Sequence, residues 1–177
     1  MRQLLLLCFL LLSACNARLY IDQSPGSEGK SLSVGETANF LFFTNEPAAE
    51  SGLRLTSGSE YLIQFTLLSN WIDGDIDQNE NGELLDETGF ADSLMSFDSL
   101  SVLKRSREHR WFELMFYVDG CSRDSLLGVS DLPYDQASGS YSYSAICSGD
   151  LKLFVNDSQG FYGNNAGFTN LKITRIN

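Results

Sequence analysis

The stretch Leu151-Lys-Leu-Phe-Val155, Asn156-Asp157-Ser-Gln-Gly160-Phe161-Tyr162-Gly163-Asn164-Asn165-Ala-Gly167, Phe168-Thr-Asn170-Leu171-Lys-Ile173-Thr-Arg-Ile176 decides the fold. Leu151, Leu153 and Val155 alternate with Lys152 and Phe154, and Leu171 and Ile173 alternate with Lys172 and Thr174. Both flanks therefore have the period of half-buried strands. The segment between them, Asn156 to Asn170, exceeds the roughly 2 to 5 residues of a tight hairpin connection and is rich in oxygen donors. Asp157, Asn164 and Asn165 supply side-chain oxygens, while Gly160, Gly163 and Gly167 allow positive φ, so that the chain can fold back and aim carbonyls inward. That chemistry suits calcium, which takes about 6 to 8 oxygens and accepts carbonyls and amides beside carboxylates. An Asn- and Gly-rich turn without a ligand uses the same residue types and is the alternative.

Outward from this stretch the chain reads as β almost throughout. Strands are expected at Asn39–Thr44, Leu53–Thr56, Tyr61–Ser69, Leu100–Lys104, Trp111–Val118, Ser140–Ile146, Leu151–Asn156 and Asn170–Ile176, separated by Gly, Ser, Asn and Asp clusters. A short helix is a weaker expectation at Glu83–Thr88. The class implied is all-β, an antiparallel, jelly-roll-like β-sandwich.

The run Asn156, Asp157, Gly160, Tyr162, Gly163, Asn164, Asn165, Gly167 resembles the metal loop of the calcium-dependent, galactose-binding bacterial lectins of the PA-I type. The resemblance implies that Asp157, Asn164 and Asn165 give side-chain oxygens to Ca2+ and Phe161 a backbone carbonyl. Two neighbouring hydroxyls of a galactose-like sugar would complete the shell. A second match lies upstream, where the strand from Tyr61 runs into Trp71 and, by alignment on that Trp, implies a further carbonyl from Gly74. Asp157, Asn164, Asn165 and an aromatic face at Tyr162 or Phe161 are the implied sugar contacts. The alternative function is a structural cell-envelope protein whose calcium loop stabilises the sandwich and takes no sugar.

The segment after Trp71 carries Asp73, Asp75, Asp77, Asn79, Asn81, Gly82 and Glu83. It matches an EF-hand loop at Asp77, Asn79, Asn81 and Gly82, but Thr88 stands where the bidentate Glu belongs. A solvated acidic loop is the expectation, with Asp73 or Asp75 as candidates to add a carboxylate to the C-terminal loop.

Met1 to Cys15 reads as a lipoprotein export signal: Arg2, an apolar run Leu4–Leu12, and Leu12-Ser13-Ala14-Cys15 as a lipobox. Residues 1–14 are expected to be removed, Cys15 to be acylated, 15–37 to form a flexible tether and 38–177 the sandwich. The expected location is the envelope, lipid-anchored, in the outer membrane of a Gram-negative bacterium. As a flexible coil the tether would span roughly 25 Å. Without the leader, 11 basic residues face 23 acidic ones, a formal charge of −12 that disfavours nucleic acid. Cys121 and Cys147 remain and are expected to pair, as exported cysteines do. Enzyme readings fare badly: His109 is the sole histidine, so neither a Ser-His-Asp set nor a His-rich metal site is expected.

Overall fold

The computed structural model describes residues 28–177. Eleven strands follow in order: β1 (Thr37–Phe43), β2 (Ala49–Leu55), β3 (Glu60–Leu67), β4 (Ile72–Asp73), β5 (Leu114–Val118), β6 (Leu127–Gly128), β7 (Tyr134–Asp135), β8 (Ser140–Ser144), β9 (Gly149–Val155), β10 (Asn165–Ala166) and β11 (Phe168–Arg175). They form a five-stranded sheet in the order β1-β11-β3-β8-β7, a four-stranded sheet β2-β9-β5-β6, and a two-stranded pair β10-β4. Every pairing within these sheets is antiparallel. The molecule is an all-β antiparallel sandwich.

The period-two pattern decides which side chains meet between the sheets. Tyr61 and Ile63 of β3, Leu171 and Ile173 of β11, and Leu151, Leu153 and Val155 of β9 are all buried. Burial of a large apolar side chain contributes roughly 1.5 to 3 kcal/mol, so a one-residue slip in register would forfeit several such terms at once. Phe154 points the other way on β9 and is nevertheless buried, because the Arg105 guanidinium lies 3.4 Å from its ring centre.

At one end of the sandwich an aromatic cluster replaces aliphatic packing. Trp71 meets Phe42 at 5.9 Å and Phe112 at 6.0 Å, the latter edge-to-face, and Phe112 meets Phe90 at 6.4 Å. Phe112 has φ +60°, a left-handed conformation that costs a bulky residue free energy. Full burial of its ring and the bond from its N–H to the Asn156 carbonyl, 2.9 Å, hold it there.

Several sequence expectations are corrected. Residues 100–104 form no strand: a 3-10 turn covers Asp98–Leu103, with another at Asp92–Leu94. No helix forms at 83–88, where Leu84 bridges Gln78 and Leu85 bridges Trp71. The short strands β4, β6, β7 and β10 carry too few residues to show a period. The leader 1–14, Cys15 and the tether up to residue 27 lie outside the described residues. From Glu28 onward the chain packs on the sandwich ahead of the expected boundary at 38: Lys30 bridges Leu53, Leu32 is buried, and the Gly29 N–H bonds Asp150 Oδ1 at 3.1 Å. Gly29 runs so close to this strand that a Cβ would stand 2.6 Å from the Leu53 carbonyl carbon.

Cys121 and Cys147 form a disulfide with Cα atoms 6.3 Å apart. It ties the chain after β5 to the turn between β8 and β9. In the chain-entropy account a loop of this size contributes roughly 3 to 4 kcal/mol.

Candidate functional site

The site forms where β9 ends and the chain must cross to the other sheet. Asn156, fully buried, is no ligand but a clamp. Its Oδ1 accepts the Ser106 N–H at 2.9 Å and its Nδ2 donates to the carbonyls of Ser106 at 2.8 Å and Arg110 at 2.9 Å. Those bonds fix the backbone on which Asp157 stands. Beyond Asp157 a 3-10 turn, Tyr162–Asn164, leads into β10, which pairs Asn165 with Asp73 of β4. The pairing brings a carboxylate from an acidic segment 84 positions earlier in the chain to the side of Asp157.

Gly167 closes the loop at φ +124°. A Cβ there would lie 2.7 Å from the Asn70 carbonyl oxygen and 2.8 Å from the Trp71 ring, so only glycine permits this approach of the two strands. Gly160 and Gly163 do not use the positive φ open to them and have open space around them.

Asp73, Asp157, Ser158 and Asn164 contribute the polar part of a cavity of about 100 Å³. Asp73 is 7% exposed and Asp157 2%. Among the described residues no Lys, Arg or His side chain forms an ion pair with either. Burial, and next the negative charge of Asp157, push the Asp73 carboxyl up to about 6. Burial likewise raises Asp157, against the Asn165 and Ser158 hydrogen bonds that favour its charged form. Two buried carboxylates without a cation are costly.

The amides around them complete a donor set that fits a hard cation. Asn164 Nδ2 donates to Asp73 Oδ1 at 3.0 Å, and Asn165 Nδ2 to Asp157 Oδ2 at 3.0 Å. The Asn165 Oδ1 is buried with no hydrogen-bond partner, a state that ordinarily costs about 1 to 3 kcal/mol. A buried acceptor beside two carboxylates fits a positive ion. Rotation of the Asn164 amide would present its oxygen too, since the choice between amide O and N follows the surrounding charge.

Both backbone positions expected from the sequence, Phe161 and Gly74, hydrogen-bond the main chain of Asn164. The Phe161 carbonyl accepts the Asn164 N–H at 3.0 Å and retains a second lone pair, and the Gly74 N–H bonds the Asn164 carbonyl at 3.3 Å. Gly74 thus sits beside the loop, at φ +58°. Tyr162 requires correction as a ligand contact. It is 4% exposed, its hydroxyl donates to the Val155 carbonyl at 2.5 Å and receives Arg105 at 3.1 Å, and burial pushes it up to about 12. Phe161, 58% exposed, lines the cavity together with Trp111. Asp75 and Asp77 are exposed and take no part in it.

The lone histidine has an unexpected setting. Ser106 Oγ lies 2.5 Å from His109 Nδ1, and His109 Nε2 lies 2.7 Å from Asp131 Oδ2. Sequence spacing gave no sign of it, because Asp131 arrives from a turn 22 residues later. This is a hydrogen-bonded Ser-His-Asp set, a correction to the expectation from sequence that none would form. Asp131 also accepts the Gly128 N–H at 2.8 Å, and a Cβ at Gly128 would stand 2.4 Å from His109 Cδ2, so the imidazole face is covered by backbone. Beneath it Glu113, fully buried, accepts the N–H groups of Arg110 and Ser130 at 2.9 and 2.8 Å and joins the same two turns.

No protein-family profile matches this chain, and no curated protein does. Among solved structures the chain is similar to one described as "EclA N-terminal domain; PllA-like lectin", at 18% identity and a TM-score of 0.47, over 77% of this chain and 94% of that one.

Proposed function

We propose that the cavity at the end of β9 binds calcium and, through it, a neutral sugar, with no catalytic step. The observation that carries this reading is that two buried carboxylates without an ion pair, Asp73 and Asp157, line one cavity, while Asn165, which donates to Asp157, keeps a buried Oδ1 with no partner. Asp157, Asp73, Asn164 and Asn165 would hold the ion with the carbonyls of Phe161 and Gly74. Calcium would supply a positive centre able to accept two adjacent hydroxyls of a saccharide in place of water. The loop's resemblance to the galactose-binding lectins supports a galactose-like hexose. Calorimetric titration of the protein with galactosides and other simple hexosides, with and without calcium, tests it. Calcium-dependent heats at millimolar sugar are expected, and their absence in calcium overturns the sugar.

Asp73 motivates a second reading. A carboxylate already in the cavity can occupy the positions that hydroxyls would use, leaving an ion that only stabilises the sandwich. Calcium would then raise Tm while no hexoside binds. We also propose that Cys15 is the acylated residue of an envelope lipoprotein, on the strength of Leu12-Ser13-Ala14-Cys15. Cys15→Ser should move the protein from membrane to soluble fractions; a variant that stays membrane-bound overturns the anchor.

A further inference from the structure

The outer face of the five-stranded sheet departs from the charge of the rest of the chain. The register of β1, β11 and β3 sets Asn39, Lys172 and Gln64 side by side in one transverse row and Leu41, Asn170 and Thr66 in the next. Alternating burial turns these side chains outward, away from Phe42, Leu171 and Ile63 in the core. One row further along, Phe43 and Phe168 stack with ring centres 5.5 Å apart, and Phe43 remains 39% exposed. The sequence holds 23 acidic residues against 12 basic ones, yet no carboxylate stands in these rows and Lys172 is their single charge.

The polar groups of this face keep unused bonding capacity. Asn170 Nδ2 reaches Asn39 Oδ1 only at 3.4 Å, and Gln64 Nε2 donates to the Ser138 carbonyl at 2.9 Å. Among the described residues, Asn39 Nδ2, Asn170 Oδ1, Gln64 Oε1 and the Lys172 ammonium have no hydrogen-bond or ion-pair partner. Such amides, donors and acceptors together, match hydroxyls, which both give and take hydrogen bonds. The stacked phenyl rings offer their negative faces to the C–H side of a sugar ring.

The order of the rows separates this ligand from a protein. A protein interface has an apolar centre and a polar rim. Here the amides and Lys172 hold the middle, between the phenyl pair at one end and the Thr37 and Thr174 hydroxyls, 2.8 Å apart, at the other. The missing carboxylates leave a basic partner nothing to pair with, and the acidity of the rest of the chain opposes an anionic one. Outward rows follow one another at about 7 Å along an antiparallel strand, so the phenyl row and the Lys172 row stand about 14 Å apart. A single sugar ring does not span that.

We infer that this face binds a linear neutral oligosaccharide, laid along β1 and β11 with one ring on the Phe43–Phe168 pair and hydroxyls on Asn39, Asn170, Gln64 and Lys172. The contact needs no metal ion and is separate from the cavity at the end of β9, which none of these residues lines. Being a sheet face and not an enclosed pocket, it gains affinity over several sugar units.

The test titrates cello-, malto- and xylo-oligosaccharides of two to six units calorimetrically into the protein in chelator. For the series that binds, the hexamer should bind about tenfold or more tighter than the dimer. Asn170→Ala and Phe43→Ser should each weaken the hexamer about tenfold, while Asp157→Ala leaves it as in the parent. Asn170→Ala removes only one long side-chain bond and should keep the parent Tm, so it decides the matter if Phe43→Ser does not fold. No binding by any hexamer at millimolar concentration, or affinity unchanged in Asn170→Ala, overturns the inference. Binding that appears only with calcium and vanishes in Asp157→Ala also overturns it, placing the sugar in the cavity and leaving the calcium–sugar reading standing. A dimer in sedimentation that Phe43→Ser dissociates overturns it as well, since a second copy would then cover the face.

Discussion

Two segments of this chain are rich in acids and amides, and the fold treats them in opposite ways. In the loop at 156–167 the carboxylate is buried and one amide oxygen has no partner. In the loop at 75–83 the polar groups satisfy one another. Asn79 Oδ1 accepts the N–H groups of Asn81 at 2.9 Å and Glu83 at 3.1 Å, Asn79 Nδ2 donates to Glu83 Oε2 at 3.1 Å, and Asp75 and Asp77 face solvent. The second is a side-chain-closed turn, whose EF-hand-like spacing spends its best oxygen on its own backbone. The two loops are alike in composition, and the first keeps a buried oxygen without a partner where the second turns its oxygens to its own backbone.

The largest effect should come from removing the charged centre of the first loop. At a hundredfold excess of calcium over Kd, binding to the native state stabilises by about 2.7 kcal/mol. Asp157→Ala should eliminate the resulting rise in Tm, whereas Asp77→Ala should leave it whole. The reverse pattern, read by calorimetric melts with and without calcium, would exchange the roles assigned to the two loops.

A pH titration of stability sharpens the contrast. The native Asp73 carboxyl is raised from 3.8 to about 6, so the folded state holds its proton more tightly than the unfolded chain. Its contribution to metal-free stability is fully present below about 4 and is lost as pH rises through about 6. Bound calcium would reverse the sign, because its carboxylate ligands must be deprotonated. Urea melts of parent and Asp73→Asn in chelator should therefore differ in slope across that window, with the variant flatter. Parallel curves would refute the burial of an unpaired charge at Asp73.

The smallest effect should be Asn79→Ala, which opens the side-chain-closed turn and costs about 1 kcal/mol, the usual worth of such a bond. The calcium-induced shift should not change. If it falls, Asn79 is a ligand and the acidic turn binds the ion after all.

Much of this was legible in the sequence where a local pattern and a local structure coincide. Leu151, Leu153 and Val155, and Leu171 and Ile173, alternate as the buried faces of β9 and β11, because side-chain period and strand geometry are both local. Asp157, Asn164 and Asn165 lie within nine residues, and one loop presents them together. The segment at 100–104 misled because Leu100, Val102 and Leu103 have strand-like composition; no sheet edge is there to receive them, and Lys104 draws the chain into a turn instead.

Sequence by itself determined the all-β class, the principal strands, the cysteine pair and the identity of the oxygen-rich loop. Only tertiary structure decided that Asp73, written inside an acidic run that reads as solvated, leaves that run to stand buried beside Asp157. It likewise separated Phe161, which lines the cavity, from Tyr162, which is buried with its hydroxyl on the Val155 carbonyl. The physical reason is range. Periodicity and turn chemistry act over a few residues, whereas the two-residue pairing of β10 with β4 joins positions 92 apart and has no local signature.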